Sequence, residues 1–385
     1  MMVELVFWIS TAALFYTYVG YPILLVITSN LRPRLVRRAA WTPTVTVIIT
    51  AYNEETALAA KLENTLALDY PGGSLEVIVA SDCASDRTDD IAREFSGRGV
   101  VLHRQPERLG KTAAQNAAVE RATGEIIVFS DATTIYQWDV LRTLMPNFAD
   151  PTVGCVSGRV IYADSAKSSV GHGTQSYWNY EFLLKKHESA VCSLIGVCGC
   201  LYAVRRSAYI PLYHEACSDF VIATKMVEQG LRAVYEPDAL CSEETNVRAN
   251  KELSTRVRIM TQTFADLWRN RAMLNPFTTG FYAIELLSHK VMRYLVPLFL
   301  IFTLATAGIL APRSLFFTFI LVAQIGVYAA AALAVLLERV GLHSRLLAIP
   351  QYFVLGNLAS LIAFYQFLRG ERYARWEPIR ASGTP

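Results

Sequence analysis

Gly124-Glu125-Ile126-Ile127-Val128-Phe129-Ser130-Asp131-Ala132-Thr133-Thr134 is the stretch whose reading decides the fold. Its apolar run from Ile126 to Phe129 is rich in β-branched residues and bounded by Gly124 and a polar turn, which predicts a buried strand. A strand buried on both faces belongs in a parallel sheet covered by helices. It delivers Asp131 to its carboxyl end, where open α/β sheets bind their ligands. Taken alone, Asp131 is equally compatible with a cap on the next helix, so the weight falls on its neighbours.

Working back from this strand, three segments repeat the design. Thr44-Val45-Thr46-Val47-Ile48-Ile49-Thr50 reads as a strand entering the turn Ala51-Tyr52-Asn53-Glu54-Glu55. After the breaker Pro71-Gly72-Gly73, Leu75–Ala80 forms the next strand and ends at Ser81-Asp82, with Asp86 placed to cap a helix reaching Phe95. Val100–His103 is a short third strand, and Gly110-Lys111 opens a helix to Arg121. The β-α-β-α-β-α-β alternation predicts a parallel, doubly wound sheet. Right-handed connections then gather Tyr52, Glu54, Asp82, Lys111 and Asp131 on one rim. No glycine-rich fingerprint follows the first strand, which argues against a dinucleotide-binding domain and a P-loop.

The rim's chemistry suits a nucleotide diphosphate with a metal. Glu54 and Asp82 are acceptors for a base and a ribose, and Lys111 at a helix start offers charge to phosphate. Asp131 is a hard oxygen ligand for a divalent ion. Singly, Lys111 and Glu54 would read as solvated helix ends; their common position at strand ends carries the signal.

The flanks are of another kind. The chain of 385 residues is 53% hydrophobic with a net charge of only +3. Leu5–Ile27, Val291–Leu310, Leu315–Leu337 and Leu346–Phe367 are each long and apolar enough to span a bilayer. The first lacks a basic n-region and a cleavage site, so it reads as a retained anchor. Arg32, Arg34, Arg37 and Arg38 follow it and hold the next domain in the cytoplasm by the positive-inside rule. Phe281–Tyr294 mixes apolar residues with Glu285, His289, Lys290 and Arg293 and reads as an amphipathic interfacial helix. Three crossings after it would leave Arg369, Arg372, Arg375 and Arg380 outside, against the charge rule; Pro350, Gln351 and Asn357 leave a re-entrant last segment open. The expected layout is an anchor over 1–30, a catalytic domain over 41–280, an interface helix over 281–294, a C-terminal membrane region over 291–368 and a basic tail over 369–385. Seven cysteines with no CxxC pair read as separate thiols in a reducing compartment. Cys198-Gly199-Cys200 lacks ligand pairs from other elements, which argues against zinc. No basic tract with interleaved aromatics is present, so nucleic acid is not an expected partner.

Together, Ala51-Tyr52-Asn53-Glu54-Glu55, Ser81-Asp82, Gly110-Lys111 with Asn116, and Phe129-Ser130-Asp131-Ala132-Thr133 resemble the nucleotide-sugar half of a family 2 glycosyltransferase. The similarity continues through Gly196–Arg206, Ser218-Asp219-Phe220 and Thr255-Arg256-Val257-Arg258-Ile259, and the chain resembles the membrane branch that includes cellulose, hyaluronan and poly-N-acetylglucosamine synthases. It covers about Pro43 to Leu267. The resemblance implies a GT-A nucleotide-diphospho-sugar transferase fold, an α/β doubly wound mixed sheet here carrying N- and C-terminal transmembrane helices. It implies a hexosyltransferase-type enzyme that uses a nucleotide-diphosphate sugar, a UDP-sugar in the first instance, with Mg²⁺ or Mn²⁺ and inversion. It further implies that Ala51, Tyr52, Glu54 and Asp82 hold the nucleotide and Lys111 its diphosphate. Asp131 is the first acid of the family's Asp-x-Asp metal motif, with Thr133 at the second position.

By the same resemblance Asp219 is the general base, with Ser218 where a Glu usually precedes it. Arg256 and Arg258 match the basic positions of a Gln-x-x-Arg-Trp motif, facing the acceptor or the leaving diphosphate. Its Gln and Trp are here Thr255 and Ile259. From the residues alone, Asp219 also reads as the N-cap of a helix over Phe220–Gln229, and the basic run Arg248, Lys251, Arg256 and Arg258 as a solvated face or a surface for anionic lipid. The expected acceptor is lipid-linked or a growing exopolysaccharide, with membrane lipids as further partners. Two rival readings stand beside this one: a processive synthase coupled to translocation, which Ile259 in place of an aromatic platform weakens, and an inactive membrane binding or scaffold protein, suggested by Thr133 and Ser218.

Overall fold

A computed structural model describes residues 1–71, 73–162, 169–243, 249–340, 342 and 344–376; Gly72, Arg248 and Arg380 lie outside them. The chain divides into two compact units. One comprises Pro33–Ala163, Glu188–Glu244 and Arg372–Pro385, and the other Met1–Arg32, Asp164–His187 and Thr245–Glu371.

The first unit is built on strands β1 (Val45–Ala51), β2 (Leu75–Ser81), β3 (Val100–Arg104), β4 (Ile126–Asp131), β5 (Ile135–Tyr136), β6 (Val153–Tyr162), β7 (Leu201–Arg205) and β8 (Arg232–Glu243). They form one sheet in the order β3-β2-β1-β4-β7-β6-β8-β5. All of β1 is buried, because a central strand covered on both faces has no solvent side. Val47, Ile48 and Ile49 are completely enclosed, and each such side chain stabilises the fold by about 1.5–3 kcal/mol. The predicted alternation is present in β3-β2-β1-β4, all parallel. Beyond β4 the sheet turns mixed: β7 is antiparallel to β4 and to β6, β8 is parallel to β6, and β5 is antiparallel to β8. The alternation of strand and helix could not reveal this half, because its strands are not linked by regular crossovers.

The helices Leu58–Leu66, Thr88–Glu94 and Lys111–Val119 connect the parallel strands. Leu58–Leu66 buries Leu58, Lys61, Leu62 and Thr65, a single helical stripe with one lysine in it. Arg87, not Asp86, occupies the cap position of Thr88–Glu94; Asp86 sits one residue earlier and still accepts from the Thr88 amide at 2.9 Å.

Among the described residues, the second unit holds four helices long and apolar enough to cross a membrane: Met2–Leu31, Phe281–Arg313, Leu315–Arg339 and Arg345–Leu368. The stretch read as an interfacial helix runs without a break into the apolar helix that follows. Its Glu285 and His289 are buried rather than turned to an interface. His289 lies 3.2 Å from Glu181 of the helix Ser169–Val191, and Arg293 pairs with the same carboxylate. A shared carboxylate removes the cost of burying those polar groups singly. Arg345–Leu368 is continuous through Pro350, and Gln351 and Asn357 satisfy their amides on Glu338 and the Phe353 carbonyl, both at 2.8 Å.

Gly124, just before β4, lies close against β1: a Cβ there would stand 2.5 Å from the Thr46 amide nitrogen. Gly124→Ala is therefore expected to destabilise the sheet by about 1–3 kcal/mol, the usual range for overpacking. The check is the midpoint of unfolding in detergent.

Candidate active site

The rim is a product of strand register. β1 pairs with β2 and β4 so that Ala51 stands opposite Ser81 and Thr50 opposite Asp131. Tyr52 and Asp82 are the next residues, and the Asp82 amide donates to the Ala51 carbonyl at 3.0 Å. Glu54 is tied to this end through its amide, which donates to Thr88 Oγ1 at 2.8 Å. Asp82 is fully buried and its carboxylate folds onto the loop before Lys111, accepting from Leu109 N at 2.9 Å and Gly110 N at 3.0 Å. Burial raises its pKa, against the pull of those two amides and of Arg108 and Arg375. Its first task in the structure is thus to hold the loop Leu109-Gly110.

That loop carries Lys111 at the start of the helix Lys111–Val119, where the Lys111 ammonium pairs with Asp131. Burial alone would lower the lysine's pKa; Asp131 beside it more than offsets this and leaves it raised, with a contribution from Asp219. Both partners are about a quarter to a third exposed. A pair so open contributes roughly 0–1 kcal/mol to stability, so its consequence is positional.

The segment that leads to Asp219 is bound to the helix that Lys111 opens. Asn116 accepts from Tyr209 Oη at 2.7 Å and from Leu212 N at 3.1 Å, and donates to the Leu212 carbonyl at 2.6 Å. Thr112 Oγ1 donates to the Ala216 carbonyl at 2.8 Å. These bonds stitch the segment before Asp219 to the helix behind Lys111. Cys217, not Asp219, is the cap of Ser218–Glu228; Asp219 is the second helical residue and accepts from Cys217 Sγ at 2.9 Å. A Cβ on Gly199 would lie 3.1 Å from Asp219 Oδ2, so the glycine of Cys198-Gly199-Cys200 makes room for the carboxylate.

Thr133 is exposed, whereas Thr134 is buried and donates to Glu243 Oε1 at 3.1 Å. Burial and the neighbouring Asp131 push the Glu243 carboxyl up to about 8. Lys61 is also enclosed here, its ammonium 3.4 Å above the Tyr136 ring, and burial pushes it down to about 7. Sequence reasoning passed over both residues. The available signals were a lysine within an apolar helical stripe and an acid at the end of a long strand. Cys241, from β8, comes within 3.6 Å of Cys200, itself 3.3 Å from Cys198. A third thiol from another element does therefore approach the pair. Even so, among the described residues no three His, Cys, Asp or Glu side chains are arranged to hold a metal by themselves. A divalent ion here would rest on carboxylate and hydroxyl oxygens plus ligands from a bound phosphate, a donor set that suits Mg²⁺ or Mn²⁺.

The tail residues Arg372–Trp376 belong to this unit, which the sequence did not suggest. The Arg108 guanidinium lies 3.7 Å over the Tyr52 ring and donates to the Trp376 carbonyl, while Arg375 Nε donates to the Arg108 carbonyl at 3.1 Å. Trp376 meets Tyr52 edge-on with ring centroids 5.9 Å apart. Gly110, at φ +105°, lies against the Ala374 carbonyl where a side chain would begin.

Arg256 and Arg258 fall in the other unit, on the helix Ala249–Arg269. Arg256 is engaged there: it pairs with Glu252 at 2.7 Å, donates to Tyr352 Oη and lies over the Tyr177 and Tyr352 rings.

Residues 46–212 match the family described as Glycosyl transferase family 2. An N-acetylglucosaminyltransferase of Rhizobium sp. (strain N33) is 29% identical over 247 residues, covering 58% of this chain and 53% of that protein. Another, from Rhizobium meliloti, is 27% identical over 286 residues, covering 68% and 65%. A beta-monoglucosyldiacylglycerol synthase of Synechocystis sp. is 31% identical over 128 residues, covering 32% and 27%. The chain thus spans between about a quarter and two thirds of the length of these relatives. Among solved structures, the mannosyltransferase PcManGT from Pyrobaculum calidifontis, in complex with GDP-Man and Mn²⁺, superposes with a TM-score of 0.74 at 24% identity, covering 96% of this chain and 99% of that one. At that identity the likeness establishes the fold. The match opens in β1 and closes in the segment that leads to Asp219, so the strand-end rim assembled above lies within it: residues 46–212 are similar to the family 2 glycosyl transferases, and the chain shares the fold of the mannosyltransferase.

Proposed function

We propose that the protein transfers a sugar, with inversion, from a nucleotide-diphosphate donor, in the first instance a UDP-sugar, to a lipid-linked or exopolysaccharide acceptor at the cytoplasmic membrane face. The observation that carries this reading is the Lys111–Asp131 pair at the carboxyl rim of the parallel strands, with the segment leading to Asp219 bound to the helix of Lys111 through Thr112 and Asn116. Ala51, Tyr52, Glu54 and Asp82 form the nucleotide side of that rim, and Lys111 meets the diphosphate. Asp131, with the Thr133 hydroxyl near it in sequence, holds the divalent ion. That ion supplies Lewis-acid stabilisation to the leaving diphosphate when bound. The acceptor hydroxyl oxygen attacks the anomeric carbon, the bond from that carbon to the diphosphate oxygen breaks, and Asp219 takes the hydroxyl proton. A relative named for a glycosylated diacylglycerol supports the lipid acceptor class, and others named for N-acetylglucosamine transfer support sugar transfer.

The tail supports a membrane topology as well. Arg372–Trp376 packs on Tyr52 and Arg108, so the tail and the donor rim share one side of the membrane. This favours a topology in which an even number of the helices between Phe281 and Leu368 cross, in keeping with the charge rule. Reporters fused near Gly72 and at the C-terminus are both expected to register as cytoplasmic; labelling of either from the opposite side overturns this topology.

Asp219→Asn preserves shape and removes proton acceptance. General base catalysis is worth roughly 10²–10⁴-fold in rate, so transfer is expected to slow at least about a hundredfold, with donor affinity and melting temperature unchanged. A kcat within about threefold of the parent removes Asp219 from the mechanism. Asn116→Ala tests the stitching that places Asp219. Loss of its hydrogen bonds, at about 0.5–1.5 kcal/mol each, is expected to lower kcat and the melting temperature together while KM for the donor changes little.

A further inference from the structure

We infer that Glu243 is a second carboxylate toward the divalent ion, adding a charged ligand that the Thr133 hydroxyl cannot supply. The inference rests on the reading of Asp131 as a metal-holding residue and adds to it a ligand from a distant strand.

The argument is one of register. β5 pairs with β8 so that Ile135 faces Ser242 and Tyr136 faces Cys241; continuing the antiparallel register sets Thr134 opposite Glu243. The turn at the end of β4 is closed by the Thr134 amide, which donates to the Asp131 carbonyl at 3.3 Å. The Thr134 hydroxyl then donates to Glu243 Oε1 at 3.1 Å. Two successive bonds through one buried threonine therefore tether the end of β8 to the end of β4. In chain order the two acids lie 112 positions apart, yet the sheet brings them to the same turn.

The chemistry follows. Carboxylates are the preferred hard-oxygen ligands of Mg²⁺ and Mn²⁺, and a hydroxyl is a poorer one. Mg²⁺ is commonly held by one or two carboxylates, with substrate phosphates and water completing its shell. Asp131 and Glu243 supply that number. Two carboxylates at one turn repel each other, and a divalent cation between them relieves the repulsion.

The probe is Mn²⁺ with UDP or GDP, followed by electron paramagnetic resonance of free and bound ion, a readout that needs no turnover. Glu243→Gln keeps an oxygen for Thr134 and removes the charge; it is expected to weaken Mn²⁺ binding at least tenfold. Adding Thr133→Asp to that variant restores an acid two residues after Asp131 and is expected to recover most of the affinity. Asp131→Asn abolishes binding if the underlying metal reading holds. Loss in Asp131→Asn with full affinity in Glu243→Gln overturns this inference and spares the metal reading; full affinity in Asp131→Asn overturns both. Weakened binding that Thr133→Asp fails to recover assigns Glu243 to holding Thr134 and overturns ligation. A measurement on the unaltered protein guards against a variant that does not fold. Fe²⁺ with ascorbate and peroxide cleaves backbone near its binding site, and fragments are expected from both Asp131–Thr133 and the end of β8. Cleavage confined to the first overturns the proposal.

Discussion

The register of β1 with its two parallel neighbours is the constraint on which the rest of the structure depends. A one-residue slip would turn every side chain of β1 to the other face and take Thr46 from its bonds with Glu76 and the Gly124 amide, so the observed pairing is held. That pairing ends the strands on a common line, with Ala51 opposite Ser81 and Thr50 opposite Asp131. Tyr52, Asp82 and Asp131 are neighbours because hydrophobic burial fixed the strands behind them. The approach of Gly124 to Thr46 belongs to the same constraint, since a side chain there would push β4 off its register.

From that line the site is extended by polar stitching rather than by packing. The Asp82 carboxylate holds the Leu109-Gly110 amides, Gly110 starts the helix of Lys111, and Asn116 on that helix binds the segment before Asp219. Each bond is worth about 0.5–1.5 kcal/mol net, little beside the core. Cutting a buried one costs more than that, because the partner left behind is unsatisfied. The arrangement fixes position at small cost in stability, which is what a catalytic constellation requires.

The electrostatics of the rim follow from the same geometry. Lys111 is held charged by Asp131, while Lys61, enclosed over Tyr136 without such a direct partner, is pushed toward neutrality. Glu243 is pushed toward its neutral form by burial and by Asp131. A site that gathers two lysines and two acids, with one of each pushed toward neutrality, is suited to a ligand that brings both signs of charge, and a nucleotide diphosphate with a divalent ion is such a ligand. The thiols of Cys198, Cys200 and Cys241 lie among these groups as small buried residues.

Much of the parallel half of the sheet was legible in the sequence, because periodicity reports burial directly: a β-branched run between turn residues has few other readings. The residues at those strand ends were legible for the same reason, and the family resemblance added Asp219, for which no local pattern gave a location. The mixed half was implied by the family resemblance but not legible in the periodicity, since antiparallel pairing of β7 with β4 and β6 depends on partners far apart in the chain. Neither was the merging of Phe281–Tyr294 into the apolar helix after it. Its charges suggested a wet face, and only the tertiary structure supplies Glu181 to receive His289 and Arg293. The pairing of Thr134 with Glu243 and the return of Arg372–Trp376 to Tyr52 are of the same kind. Local sequence determines which segments are buried and where they end, because burial is a property of each side chain. Which of those ends meet is decided by the sheet, because hydrogen-bonded register acts between strands and leaves no trace in either one alone.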